Sequence, residues 1–189
     1  MNHRYFQKFQ IKDVVFLAIM SAVALATCAV MPLVISLQPL IFGISQLVTA
    51  LQIGVFFAIG LYKVRKPGSL LIMALMMGLI QLMMSPPMFL SSILNGVLIE
   101  LIVLLLFRGY EKDAAVFVAA MLHTPLSLPF NYLYNRLIKG ADSPLAAVAD
   151  RAPLAAVGMT LAVVAVSALG ALIGIKIARE LKKSGVLKK

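Results

Sequence analysis

The chain has 189 residues, of which 62% are hydrophobic and 13% are charged, and its formal net charge is +10. Apolar runs of roughly 20 residues, the length that a helix needs to cross a bilayer core, alternate with short charged gaps. This pattern excludes a soluble globular domain, and the single cysteine excludes an intrachain disulfide or a cysteine metal cluster. We therefore expect one all-α integral membrane domain over residues 1–189.

In chain order, residues 1–13 predict an amphipathic segment on the membrane surface, because basic residues alternate there with aromatic ones. A long polar loop over 136–152 precedes the last span, and a basic tail over 179–189 follows it. The fifth span is expected to be interrupted at Pro125 and Pro129, and broken backbone in a membrane must face protein or a pocket. The six predicted spans cover about 14–34, 41–62, 67–84, 88–107, 114–135 and 153–178.

The distribution of basic residues predicts the orientation of these six spans. Fourteen of the seventeen lysines and arginines fall in the gaps and termini on one side, and three fall on the other. Basic loops stay preferentially in the cytoplasm, so both termini are predicted to be cytoplasmic. The net positive charge thus follows from topology, and we do not expect a nucleic-acid partner.

The first span carries Ala18, Ala22 and Ala26 at intervals of four residues. This spacing places them on one helix face, and small residues allow close helix approach in lipid. The face is either a docking surface for a partner or a seam against another helix of the same chain. Ser21 is expected to widen this smooth patch.

Polar groups inside predicted spans are costly in lipid and are therefore candidate functional residues. Glu100 and His123 are both predicted near the middle of the membrane, where a contact between them would lower the cost of burying each. Such a pair could recognise a substrate or handle protons, or it could be a structural contact between neighbouring helices.

A second polar group is predicted in the extracellular half of the membrane. Amides and phenols at similar depth could hydrogen-bond a polar heterocycle, while Met and Phe surround its apolar parts. Two of these residues have structural alternatives, because Tyr132 could belong to an interfacial aromatic belt and Asn131 could satisfy backbone freed by Pro129. The predicted members are Gln46, Gln81, Asn95, Asn131 and Tyr132.

No catalytic motif is visible in the sequence. A phosphate-binding loop, a zinc-protease pair and a nucleophile elbow are all absent, so we expect neither an enzyme nor an ATPase. Two histidines are too few for a metal relay. We therefore expect no metal and no cofactor.

The six predicted spans, the cytoplasmic termini and the alanine face resemble the substrate-binding S component of an energy-coupling factor (ECF) transporter. The sequence Arg65-Lys66-Pro67-Gly68, followed by a glutamate late in the fourth span, is similar to the thiamine and hydroxymethylpyrimidine group of these proteins. The third span differs from that group at Met73 and Gln81, where acids are expected, which argues against a cationic ligand such as thiamine.

The resemblance implies a subunit in the cell membrane that captures a vitamin-like small molecule from outside. It would dock through Ala18, Ala22 and Ala26 onto a transmembrane coupling subunit driven by two cytoplasmic ATPases, then tilt and release the ligand inward. One alternative is a stand-alone carrier with a proton-coupled Glu100/His123 site. Another is a structural membrane subunit without a ligand.

Overall fold

The computed structural model describes residues 8–30, 33–34, 36–140 and 143–187, and within these ranges the chain forms seven helices and no strand. The residues before position 8, which hold most of the predicted amphipathic segment, lie outside the described ranges. The helices are α1 (Ile11–Thr27), α2 (Ile44–Val64), α3 (Ser69–Leu82), α4 (Pro86–Phe107), α5 (Asp113–Ile138), α6 (Pro144–Arg151) and α7 (Pro153–Lys183).

Four of the described helices, α2, α4, α5 and α7, are long and apolar enough to cross a membrane. The α3 helix is apolar but has 14 residues, and α1 has 17. Large apolar side chains point outward from the bundle, and Leu105, for example, is 81% exposed. Exposure of this extent suits a bundle whose solvent is lipid.

The α2 helix lies at the centre of the bundle and packs against α1, α3, α5 and α7. Its buried residues run along its whole length, from Ser45 to Val64. The largest of them, Phe57 and Leu61, are fully buried. This central position means that α2 fixes the spacing of the helices around it.

Small residues bring α2 and α7 into direct backbone contact. A Cβ atom on Gly54 would lie 2.9 Å from the Ser167 carbonyl oxygen, and one on Gly170 would lie 2.5 Å from that of Leu51. A Cβ atom on Gly174 would collide with the Val55 carbonyl oxygen. In lipid, where apolar surface gains nothing from leaving solvent, such close packing is a principal source of helix association.

The α3 and α4 helices form a second close pair. A Cβ atom on Gly96 would lie 2.6 Å from the Cβ atom of Ala74, so glycine is needed at this crossing. The Ser92 hydroxyl donates to the Ala74 carbonyl at 2.8 Å. On the other side of α3, the Ser21 hydroxyl of α1 donates to the Met73 carbonyl at 3.1 Å. Ser21 is fully buried, so the expectation that it widens the smooth alanine face is wrong.

Helix bounds differ from the predicted spans at several places. The α1 helix begins at Ile11, where the Asp13 carboxylate accepts from the Gln10 backbone N–H at 3.0 Å, and it ends at Thr27. The predicted polar loop contains α6, whose N-terminus is capped by Ser143. A serine followed by proline is a helix-start signal that hydropathy alone does not report. The last helix continues to Lys183, into the predicted tail.

The fifth helix runs through both prolines without a break, which corrects the predicted interruption. Pro125 has no backbone N–H, so the carbonyl of Met121 loses its usual partner four residues ahead. The Ser167 hydroxyl of α7 donates to this carbonyl at 2.7 Å. A neighbouring helix thus supplies the missing hydrogen bond, as membrane bundles commonly require around proline.

We expect Gly174→Leu to destabilise the fold by roughly 1–3 kcal/mol or more, because the new side chain would have to separate α2 from α7. Gly158→Leu is the matched control, since nothing lies within 4 Å of a Cβ atom at that position of the same helix. The measurement heats the detergent-purified proteins with a thiol-reactive fluorophore. Cys28 is buried and is the chain's single cysteine, so it reacts only when the protein unfolds. Equal melting curves for the two variants would contradict this role for the α2–α7 contact.

Candidate functional site

A cavity of about 110 Å³ lies at one end of the bundle, which we call the cavity end. It is bounded by the C-terminal ends of α1 and α3, the N-terminal ends of α2 and α4, and the second half of α5. One water molecule needs only ~10–15 Å³, so there is room for a small organic molecule. The lining residues are Leu25, Cys28, Gln38, Gln46, Thr49, Ile53, Met77, Gln81, Met88, Ser91, Ser92, Asn95, His123, Thr124, Ser127 and Asn131.

Five of the seven predicted substrate-binding residues line this cavity. They come from four different helices, which the fold brings together around one cavity. These five residues are Gln46, Gln81, Asn95, His123 and Asn131. Glu100 and Tyr132 do not line it.

Three side chains in the cavity wall carry a buried polar atom that has no hydrogen-bond partner among the described residues. These atoms are Asn95 Oδ1, His123 Nδ1 and Thr124 Oγ1. The three residues are 1%, 3% and 3% exposed, respectively. Buried polar atoms are nearly always paired, and leaving one unpaired costs roughly 1–3 kcal/mol. Three such atoms in the wall of one cavity are typical of a site that binds a polar molecule.

The α5 helix holds His123 and Thr124 against the cavity. The His123 ring packs on Phe57 of α2, with ring centroids 4.4 Å apart and an angle of 30° between the planes. A threonine in a helix commonly donates to the carbonyl four residues earlier. Thr124 does not do so, and its buried hydroxyl has no partner among the described residues.

A short chain of hydrogen bonds holds Gln46 at the N-terminal end of α2. The Gln38 amide donates to the Ser45 hydroxyl, which donates to Gln46 Oε1 at 2.9 Å. The Gln46 amide nitrogen donates to no residue in the described part of the chain. On α5, Asn131 donates its amide to the Ser127 carbonyl at 2.9 Å rather than to backbone freed by Pro129.

Several cavity residues are missing from the sequence-based prediction. They are short hydroxyl residues, an amide in a turn and a thiol, namely Thr124, Thr49, Ser91, Ser92, Ser127, Gln38 and Cys28. Serine and threonine are inexpensive in membrane helices because they can bond to their own backbone, so their presence alone is a weak signal. The adjacency of Thr124 to His123 and Pro125 is the one local pattern that could have identified it.

The predicted contact between Glu100 and His123 does not form. Glu100 is 6% exposed, and its two carboxylate oxygens accept from the Gly68 backbone N–H at 2.6 Å and from the Tyr110 hydroxyl at 2.9 Å. Gly68 is the residue that caps the start of α3. A carboxylate is favourable at a helix N-terminus, where backbone N–H groups lack partners. Burial, and secondarily Glu100, raises the pKa of the Tyr110 phenol well above its ordinary value, which keeps it a donor.

The Glu100 contact belongs to the end of the bundle opposite the cavity, which we call the basic end. Residues 65–68 and 108–112 connect helices there. Asp113 at the start of α5 pairs with Arg65 and, at 2.6 Å, with Arg179 of α7. Lys66 pairs with Asp13 of α1 at 2.6 Å. The basic turn singled out in the sequence therefore ties four helices together.

Tyr132 lies outside the cavity, near α6. Its hydroxyl donates to Asp150 at 2.7 Å and accepts from Arg136 at 3.2 Å, and Arg136 also pairs with Asp150. This contact attaches the short α6 helix to the end of α5. The geometry thus gives Tyr132 a partner in the loop region rather than in the cavity.

The alanine face of α1 is largely open. Ala22 and Ala26 are exposed and Ala18 is half-buried, whereas the buried side of the helix carries Leu17, Ser21 and Ala24. An internal seam would bury all three alanines. The described part of the chain leaves this strip accessible to lipid or to a partner.

We expect Glu100→Ala to lower the free energy of unfolding by about 1–3 kcal/mol, because the buried Tyr110 hydroxyl and the half-buried Gly68 N–H would lose their acceptor. Glu111→Ala is the control, since that exposed side chain lies in the adjacent turn and should change stability by less than about 0.5 kcal/mol. The two variants are compared by thermal unfolding, in which the alkylation of Cys28 reports how much protein has unfolded. An unchanged midpoint for Glu100→Ala would contradict the capping role.

A solved structure described as "Crystal structure of an S-component of ECF transporter" is similar to this chain. The identity is 22%, the match covers 95% of this chain and 89% of that chain, and the TM-score is 0.66. At this identity the likeness shows a shared fold. A search of curated proteins returns no match.

A family model described as "Hypothetical bacterial integral membrane protein (Trep_Strep)" matches residues 11–183. The match, the four long apolar helices and the shared fold together identify a multi-pass membrane protein. The chain belongs to the Trep_Strep family of bacterial integral membrane proteins.

Proposed function

We propose that this chain is the substrate-binding S component of an ATP-driven ECF transporter for a vitamin-like micronutrient. The observation that carries the proposal is the cavity, whose wall holds three buried polar atoms without a described partner, inside a fold that a solved S component shares. An S component must bind its ligand without hydrolysing ATP. The lack of a phosphate-binding loop in the sequence suits that role.

The orientation of the cavity supports uptake. The turns of the basic end, residues 65–68 and 108–112, belong to the gaps that the charge distribution of the sequence assigns to the cytoplasm. The cavity would then open toward the exterior. The chain would cross the membrane six times, and both of its termini would lie in the cytoplasm. Ligand would enter from outside, and the ion pairs at the basic end would keep the cytoplasmic side closed.

The open alanine face supports an external partner. A membrane helix with exposed small residues can approach another helix closely. We assign this strip, Ala18, Ala22 and Ala26, to docking on a transmembrane coupling subunit that two cytoplasmic ATPases drive. Tilting of the docked subunit would turn the cavity inward for release.

The sequence resemblance places thiamine and its hydroxymethylpyrimidine precursor among the candidate ligands. The stand-alone carrier, by contrast, requires a proton-coupled pair of Glu100 and His123. Glu100 instead accepts from Gly68 and Tyr110, and His123 packs on Phe57. The carrier therefore lacks a supporting observation.

We expect Ala22→Trp to abolish co-purification of the coupling subunit and ATPases, and to reduce uptake at least tenfold, while leaving ligand binding to the isolated chain intact. The bulky ring would hold the partner helix away. Ala165→Trp is the matched control, because Ala165 is an exposed alanine in the middle of α7. The measurement is a pull-down from native membranes in mild detergent, followed by mass spectrometry of the recovered proteins.

Recovery of the chain without an ATPase across several detergents, with Ala22→Trp transporting as well as Ala165→Trp, would refute the S-component assignment. It would favour a self-sufficient carrier instead.

A further inference from the structure

The cavity carries no formal charge in its described lining. Its polar side chains are amides, hydroxyls, a thiol and one imidazole, and its remaining side chains are Leu, Ile and Met. A charged ligand buried here would meet no counter-ion among these residues. Taking a lone charge out of water into such a site is far more costly than burying a neutral polar group.

The described acids Glu100 and Asp150 are already paired elsewhere. Glu100 follows Asn95 on α4, but its two oxygens accept from Gly68 and Tyr110 at the basic end. Asp150 pairs with Arg136 and accepts from Tyr132. Drawing either carboxylate to a cationic ligand would break a contact that joins two helices.

The unpartnered atoms specify what the ligand must offer. Asn95 Oδ1 accepts only, so the ligand needs an N–H or O–H donor toward α4. The amide nitrogen of Gln46 can only donate and donates to no described residue, so the ligand needs an acceptor toward α2. Thr124 and a neutral His123 can each donate or accept, and they adapt to either pattern.

The apolar residues of the lining indicate that the faces of the ligand are apolar. Leu25, Ile53, Met77 and Met88 contribute the apolar walls. Thioethers pack favourably against aromatic rings, and the His123 ring presents a further flat surface. A molecule with a polar edge and apolar faces matches such walls, and a heteroaromatic ring has that form.

We propose that the ligand is a small, uncharged nitrogen heterocycle whose edge carries both an N–H donor and an acceptor, as an aminopyrimidine or an aromatic carboxamide does. This inference rests on the proposed substrate-binding function and narrows it. Of the two candidate ligands, it selects the uncharged pyrimidine precursor over thiamine, whose thiazolium ring carries a permanent positive charge. Asn95 and Gln46 bind the donor and the acceptor, and Thr124 and His123 complete the edge.

Matched sets of probes that differ in charge test the proposal. The full-length chain, purified in mild detergent at pH 7, is incubated with an equimolar mixture of nicotinamide, nicotinate and 1-methylnicotinamide, and separately with 4-aminopyrimidine and its N-methylated cation. After washing, the protein is denatured and the retained probes, together with any molecule carried from the cells, are quantified by mass spectrometry. We expect the uncharged member of at least one set to be retained at least tenfold over its charged counterparts.

Two failures are distinguishable in this experiment. Preferential retention of a charged probe, or release of a charged molecule carried from the cells, would overturn the inference and leave the binding function standing. If folded protein retains no probe and releases no small molecule, the proposed binding function fails, and the inference fails with it.

Variants then assign the edge contacts. Thr124→Val keeps the side-chain shape and should weaken retention of the uncharged probe about tenfold. Thr160→Val is the matched control, because the Thr160 hydroxyl donates to the Ala156 carbonyl on α7, away from the cavity. Gln46→Glu places a carboxylate in the wall and should shift retention toward the cationic probes. Equal retention by Thr124→Val and Thr160→Val, or an unshifted preference in Gln46→Glu, would overturn the assigned contacts.

Discussion

The close contact between α2 and α7 is the interaction on which the rest of the structure depends. Gly170 and Gly174 bring the α7 backbone against that of α2, because any larger side chain there would collide with a carbonyl group. The same approach brings the Ser167 hydroxyl within 2.7 Å of the Met121 carbonyl, the one that Pro125 leaves without its helical partner. The α5 helix therefore continues through its prolines, and this regular helical geometry fixes the positions of its cavity-lining residues. Helix packing thus controls the geometry of the cavity from outside it.

The two ends of the bundle have different electrostatic tasks. At the basic end, formal charges are paired across helices, and Asp113 joins α2, α5 and α7 through Arg65 and Arg179. The carboxylate of Glu100 caps the start of α3 in the same region. At the cavity end, the described lining uses neutral dipoles, several of which are left without partners. Ion pairs stabilise the closed end, and unpaired neutral groups prepare the other end for a ligand.

Part of the grouping of polar residues was predictable, because a helix rises by a fixed distance per residue and each span starts at a recognisable boundary. Four of the five residues that the sequence groups in one half of the membrane line the cavity. Tyr132 of that group does not line it, whereas His123, which the sequence pairs with Glu100 instead, does. The direction of each side chain around its helix was less accessible. Glu100 lies on the same helix as the cavity residue Asn95, yet its carboxylate accepts from Gly68 and Tyr110 at the other end of the bundle. A single sequence gives no rotation of one helix against its neighbours.

Hydropathy by itself determined that the chain is a helical membrane protein, because an apolar run of about 20 residues matches the length of a membrane-spanning helix, which satisfies its own backbone groups in lipid. The run of alanines on α1 and the charge asymmetry of the turns were likewise readable from residue spacing. Only the tertiary structure decided which polar residues share a cavity, that Ser167 supports α5, and that Ala22 and Ala26 stay exposed. Those outcomes depend on contacts between residues far apart in the chain, and such contacts are set by the packing of whole helices rather than by local pattern.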